Sequence, residues 1–221
     1  MSESSAAPDA PFGTPPFRLD VVSLRAGVCA LATIDPDLGG IVERHGQPPL
    51  WAREPGFETL VRIILEQQVS LRSAEAALGR LVAAARELTP DAIAGAGEER
   101  LRNAGLTRQK ARYLVGLAGD IDAGRLDLAA VGFAPAAEVR ARLMRVVGIG
   151  RWTADIYLLM ALGRPDVWPR GDLALAGAMR RVKGLTALPT GAEQVAIAEP
   201  WRPWRAVAAR LLWHAYLAGE R

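Results

Sequence analysis

One run constrains the fold more than any other: Leu143 to Asp172, LMRVVGIGRWTADIYLLMALGRPDVWPRGD. Upstream of its glycines, Val139, Leu143, Val146 and Val147 recur at helical spacing, while Arg140, Arg142 and Arg145 fall off that face. Gly148-Ile149-Gly150 then breaks the helix, because glycine accepts positive φ and lets the backbone approach a partner closely. Ile149 is expected to plug into the core between two helices. The next helix, Arg151 to Leu162, carries Trp152, Ala154, Ile156, Tyr157, Leu158, Leu159 and Met160. It is apolar nearly all round, which predicts a central, buried helix. A helix entered through a glycine turn aims free N–H groups and its positive dipole end outward. That geometry suits a phosphate, and it equally suits a plain helical hairpin. Downstream, the carboxylate of Asp172 opens a further helix.

The rest of the chain repeats the helical pattern. Residues 1–16, rich in Ser, Ala and Pro, read as a disordered tail, leaving 17–221 as the folded core. Asp20 can cap a helix through Val22, Leu24, Val28 and Leu31, and Asp35-Pro36 opens a second that ends near Gly46. Phe57, Leu60, Val61 and Ile64 stripe a third, closed by Glu66-Gln67-Gln68-Val69-Ser70. Ser70 or Ser73 starts a fourth, with Ala74, Ala77, Leu78, Leu81, Val82 and Ala85 inward. Thr89-Pro90-Asp91 and Thr107 begin two more, and Gly105 and Gly124 are stops. Beyond Asp172 a helix runs to near Lys183, and Thr190 starts a short one. Pro203 is expected in the first turn of the last helix, through Trp204, Val207, Ala208 and Leu211. Period-two alternation is absent and alanine abundant, so the fold class is all-α.

Composition removes several classes of function. With 221 residues, 50% of them hydrophobic, the chain can bury a real core. No run approaches the apolar length of a membrane span. Met1-Ser-Glu-Ser-Ser lacks the basic and apolar regions of a secretory signal. The single cysteine, Cys29, sits in an apolar helical pattern and is expected in the core. One cysteine excludes an intrachain disulfide and a four-cysteine iron–sulfur cluster. His45 and His214 lie far apart and give no metal-ligand spacing, so no metal site is expected. A monomer in a reducing cytoplasm is the expected setting. The net charge of +3 is mild, but its distribution is uneven. From Arg140 to Lys183 there are nine Arg/Lys (140, 142, 145, 151, 164, 170, 180, 181, 183) against three acids (155, 166, 172). That surplus falls on the glycine hairpin, as a phosphate-binding face requires, although a charge run can equally be a solvated face.

Taken together, GIGRWTAD and DVWPRGD resemble the helix–hairpin–helix DNA glycosylases. Within them the chain is most similar to the 3-methyladenine DNA glycosylase II (alkylbase glycosylase) family, over roughly residues 20–218. The resemblance implies two helical lobes around a cleft, without the N-terminal β domain of some members. One lobe would be residues 55–165, and the other would join 17–54 to 166–221. It also implies double-stranded DNA with a damaged base as partner. The implied reaction is monofunctional: an alkylated purine of the 3-methyladenine or 7-methylguanine type is flipped out and excised by hydrolysis of its N-glycosidic bond. An abasic site for base excision repair would remain. Glycosylases for uracil, hypoxanthine or oxidised guanine share the fold, and a non-catalytic DNA-binding module could use the hairpin alone.

Aspartate is a favoured N-cap, which by itself accounts for Asp172. A helix N-terminus also favours a negative charge, so capping does not compete with chemistry. The family's catalytic aspartate falls at Asp172, where it would stabilise an oxocarbenium-like sugar and orient or deprotonate water. Trp213 matches the residue that stacks on the flipped base. Trp152 and Trp168 would join it in the base pocket, where a cationic base favours an aromatic face. The plain alternative is that these tryptophans are core residues, as expected of Trp204. Ile156 stands where some relatives carry an aromatic. Gly148, Ile149, Gly150, Arg151 and Thr153 would grip the DNA backbone, with Gln67 or Gln68 as the wedge that fills the vacated stack. No cofactor is implied, although the resemblance leaves room for a monovalent cation at the hairpin. The lysine that strand-cutting relatives use has its counterpart at Trp152, whose indole cannot attack a sugar carbon.

Overall fold

The computed structural model describes residues 17–219, so the tail expected over residues 1–16 lies outside them. Among the described residues there are helices and no strand. Most helices begin where a short polar side chain accepts a hydrogen bond from the first turn. Asp20 caps α1 (Val21–Ile34), Asp35 caps α2 (Pro36–His45) and Ser70 caps α4 (Leu71–Ala85). Between them, α3 (Phe57–Glu66) starts from Gly56 without a side-chain cap. Thr89 and Thr107 cap α5 (Pro90–Asn103) and α6 (Arg108–Asp122). Asp127 caps α7 (Leu128–Phe133), a short helix that the sequence pattern does not signal, and α8 spans Ala136–Leu143.

The central helix is composite. α9 (Arg151–Ile156) runs straight into a five-residue π-helical stretch, Tyr157–Ala161. It is buried as its composition demands, except that Arg151 is exposed and Trp152 and Met160 are half-buried. After it come α10 (Leu173–Val182), α11 (Gly191–Ala198), a 3-10 turn at Glu199–Trp201, and α12 (Arg205–Leu217).

α1, α2, α10 and α12 pack on one another, which brings the first and last helices of the described residues together. α3, α4, α5 and α6 form a second group, joined by α9, and α8 packs on α7 and α9. A single hydrophobic cluster runs through both groups. At their junction Arg210 of α12 is nearly fully buried and donates to three carbonyls, those of Leu50, Leu159 and Ala206. Burial brings its pKa down to about 10, which leaves it charged at neutral pH.

Several expected core positions are not core. Val22 stays 78% exposed in the first turn of α1, before the helix meets α2 and α12. Cys29 is exposed, because the buried stripe of α1 is Leu24, Gly27, Val28 and Leu31, and the next position turns away from it. Val82 lies at the edge of α4, and Val147 falls in the turn after α8 has ended, so both face outward. Pro203 precedes α12 instead of lying in its first turn, and Trp204 is the capping residue. Trp204 is half-buried against α1: a Cβ on Gly27 would lie 2.9 Å from its ring.

Candidate active site

α8 ends at Leu143, and the chain turns through Met144–Ile149 with the Val146 N–H donating to Leu143 O and the Ile149 N–H to Val146 O. Ile149 is buried, as a plug between helices should be. The two hairpin glycines do different jobs. Gly148 holds φ +95, and a Cβ there would lie 2.2 Å from the ring of Tyr113 on α6. Gly150 has φ −85 and nothing within 4 Å of its missing Cβ. It opens α9 without a side-chain cap, so the first-turn N–H groups, which have no intrahelical acceptor, are not taken up by a capping side chain. Arg151 is exposed beside them. Thr153 is buried, and its hydroxyl accepts from Gln67 at 2.9 Å, so its side chain faces the protein and not a phosphate.

The basic surplus of this segment is only partly a surface. Arg140 is tied to the buried carboxylate of Asp155 at 2.6 Å, with Arg151 3.5 Å away on the other oxygen. Burial pushes the Asp155 carboxyl up, and the Arg140 charge works against that shift. Arg164 is buried and donates to the carbonyls of Gly132 and Ala134 at the end of α7. Lys183 pairs with Asp35 and Asp37. Arg145, Arg151, Arg170 and Arg180 remain exposed.

Asp172 is the N-cap of α10 and is 9% exposed. One oxygen accepts the Leu175 N–H at 2.8 Å and faces the Trp213 indole nitrogen at 3.4 Å. The other accepts the Trp152 indole N–H at 2.8 Å. Capping by the backbone and clamping by two indoles fix the carboxylate between α9, α10 and α12. Trp152 and Trp213 are thus drawn to the site through their nitrogens, with their rings beside it. Trp168 is placed otherwise. It is buried with its ring centre 5.7 Å from that of Trp201, whose N–H donates to Asp35 at 2.6 Å. Those contacts give it a core role toward the α1–α2 corner, although its own indole nitrogen has no acceptor. His214 and His45 also meet, ring centres 6.2 Å apart, with a ring nitrogen of His214 2.9 Å from the His45 carbonyl.

Gln67 is half-buried and donates to Gly148 O and to the Thr153 hydroxyl, both at 2.9 Å. Gln68 is exposed and has φ +56. Of the two, only Gln68 is placed to leave the protein surface. Among the described residues no group of three His, Cys, Asp or Glu side chains is arranged to hold a metal. Two concavities, of about 400 and 250 Å³, lie between α4 and α5 and between α3 and α4, and neither includes Asp172.

Two helices joined by a glycine hairpin, followed by a clamped aspartate, define a class of base excision protein. The HhH-GPD superfamily of base excision DNA repair proteins matches residues 61–203, and the chain belongs to it. A DNA-3-methyladenine glycosylase 2 of Escherichia coli is 29% identical over 192 residues, covering 80% of this chain and 65% of that protein. DNA-3-methyladenine glycosylase 1 of Schizosaccharomyces pombe is 29% identical over 165 residues, covering 73% of this chain and 72% of the yeast protein. The solved structure of the Schizosaccharomyces pombe 3-methyladenine DNA glycosylase Mag1 with abasic DNA superposes with a TM-score of 0.82 at 26% identity. It covers 89% of this chain and 98% of that one. The chain spans less than two thirds of several relatives: 65% of the Escherichia coli protein, 43% of a Mycobacterium tuberculosis protein and 36% of a Bacillus subtilis DNA-3-methyladenine glycosylase.

Proposed function

We propose that this protein is a monofunctional DNA glycosylase that flips alkylated purines out of duplex DNA and hydrolyses their N-glycosidic bond in base excision repair. The observation that carries the reading is the Asp172 carboxylate, held by the Trp152 and Trp213 nitrogens beside an uncapped hairpin helix. As the bond to the base stretches, positive charge grows on the sugar. A carboxylate ~4 Å away at an effective dielectric near 20 stabilises that charge by about 4 kcal/mol, roughly a thousandfold in rate. The same carboxylate orients or deprotonates the attacking water. No general acid is needed when the leaving purine is already cationic and departs neutral. The indole rings of Trp152 and Trp213 offer such a base an aromatic face.

The hairpin anchors the duplex through the N–H groups that open α9, with Arg151 beside them. The turn could hold a monovalent cation only through backbone carbonyls. Those of Val146 and Gly148 each accept one hydrogen bond and keep a second lone pair, which fits a weakly bound ion. No step of the chemistry runs through it. Strand cleavage by Schiff base is not part of this reading, since Trp152 offers the site an N–H donor and no amine.

The test is base release from duplexes that each carry one lesion: 7-methylguanine, 3-methyladenine, hypoxanthine, uracil or oxidised guanine. Release of the two methylated purines, with an intact strand and no covalent band after borohydride, is the expected result. Release confined to uracil or oxidised guanine, or a strong borohydride-trapped band, would overturn it.

A further inference from the structure

The turn that ends α3 and the hairpin that opens α9 are joined by a small set of side chains. Both N–H groups of the Gln67 amide are used, one on Gly148 O and one on the Thr153 hydroxyl. Gly148 is the hairpin residue in the left-handed region, and the Tyr113 ring fills the place of its Cβ. One turn earlier on α6, Lys110 donates its Nζ to Leu65 O at 2.7 Å, two residues before Gln67. The end of α3, the start of α6 and the hairpin therefore form a closed triangle. At its outer corner Gln68 is held at φ +56, a conformation unfavourable for a residue with a side chain, which persists where neighbours enforce it.

We infer that Gln67 is a positioning residue that fixes the distance between the hairpin and the Gln68 turn, so that the wedge enters the duplex at a set spacing from the gripped phosphate. The inference rests on the glycosylase reading above, in which the hairpin grips backbone and Gln68 fills the vacated stack. Gln67 itself touches neither DNA nor base. Its acceptors are one carbonyl and one hydroxyl, and it is half-buried, so its loss should cost the fold little. What it controls is where Gln68 stands.

The test uses the full chain and three measurements on each variant. These are affinity for an undamaged duplex, fluorescence of a 2-aminopurine beside the target nucleotide, and single-turnover release of 7-methylguanine. Gln67→Ala should lose the fluorescence rise and slow release by about tenfold or more, while affinity for undamaged duplex stays within about twofold. Thr153→Val, nearly isosteric, removes one of the two acceptors and should move the same readouts in the same direction by less. The double variant should be no worse than Gln67→Ala alone, because both act on one contact. If Gln67→Ala unfolds, Thr153→Val carries the same comparison. Unchanged fluorescence and release would overturn the inference. So would a loss of undamaged-duplex affinity equal to the loss of release, since Gln67 would then only support the hairpin. A wild-type protein that opens the duplex but releases no methylated purine would instead count against the proposed substrate, leaving the fluorescence comparison to decide on Gln67.

Discussion

At Asp172 the carboxylate has three N–H groups aimed at it, from Leu175, Trp152 and Trp213. Asp172→Asn keeps the size but removes the charge, and it turns an amide donor toward one of those N–H groups. We expect lesion-duplex affinity close to wild type and base release slowed by at least about a hundredfold, because the charge acts mainly in the transition state. Trp152→Phe separates the two duties of that residue: the ring stays, the donor goes. Release slower by about tenfold is expected from a less well aimed carboxylate, measured under single turnover. Wild-type rates would mean that the indole is only a wall. Asp172 is legible in the sequence, since a helix-capping aspartate after a glycine hairpin has a recognisable spacing. The clamp on it is not, because Trp152 and Trp213 stand 20 and 41 residues away and leave no periodic trace. Gln67 misleads for the same reason: its neighbours in the sequence suggest the wedge, while its partners lie 81 and 86 residues on.

Among the elements, the caps are the most readable feature. Asp20, Asp35, Ser70, Thr89, Thr107, Asp172 and Thr190 all start the helices that their residue types announce. Helix ends and inward faces are less so, because they depend on where the neighbouring element stops, as Val82 and Val147 illustrate. The glycine hairpin gives two outcomes from what looks like one motif. Gly148→Ala must place a Cβ against Tyr113 at φ +95, so it should unfold at lower urea concentration as well as bind DNA poorly. Gly150→Ala meets no atom and has an ordinary φ, so it should keep wild-type stability. On the proposed reading its added methyl group would stand where a phosphate approaches, and affinity for any duplex should fall while the steep salt dependence remains. Equal DNA affinity in Gly150→Ala and wild type would place the anchor elsewhere.

For the whole molecule, the N-terminal helices are locked to the C-terminal part of the fold by Asp35. It caps α2, accepts the Trp201 N–H at 2.6 Å and pairs with Lys183 on the far end of α10 at 2.6 Å. Burial pushes its carboxyl up, but the hydrogen bonds from Lys183 and Trp201 outweigh burial and hold it below its usual 3.8. A depressed carboxylate contributes stability that is complete above pH 3.8 and is lost as pH falls through the lower folded value. Asp35→Asn should therefore be less stable at pH 7 and lose less than wild type between pH 4 and pH 2, both read from urea midpoints. An unchanged acid limb would put the acid-labile group elsewhere.

The way the central helix ends bears on how the molecule meets its target. Its π-helical turn leaves carbonyls unpaired within the helix, and the rest of the chain uses them. Leu159 O accepts from Arg210, and Met160 O from the Arg53 N–H. Just beyond, Gly163 O accepts from the Leu19 N–H and Pro165 O from the Ala206 N–H. The two helical groups are thereby laced together along a single seam that runs straight from the hairpin. On the proposed reading, a frame sewn in this way leaves the bending to the duplex. Such bending costs a duplex on the order of 1–6 kcal/mol for a sharp bend, less where the stack is already loose. On that reading compliance would be part of what is sensed: a weakened step in the double helix would present itself to a stiff gauge before any base is touched.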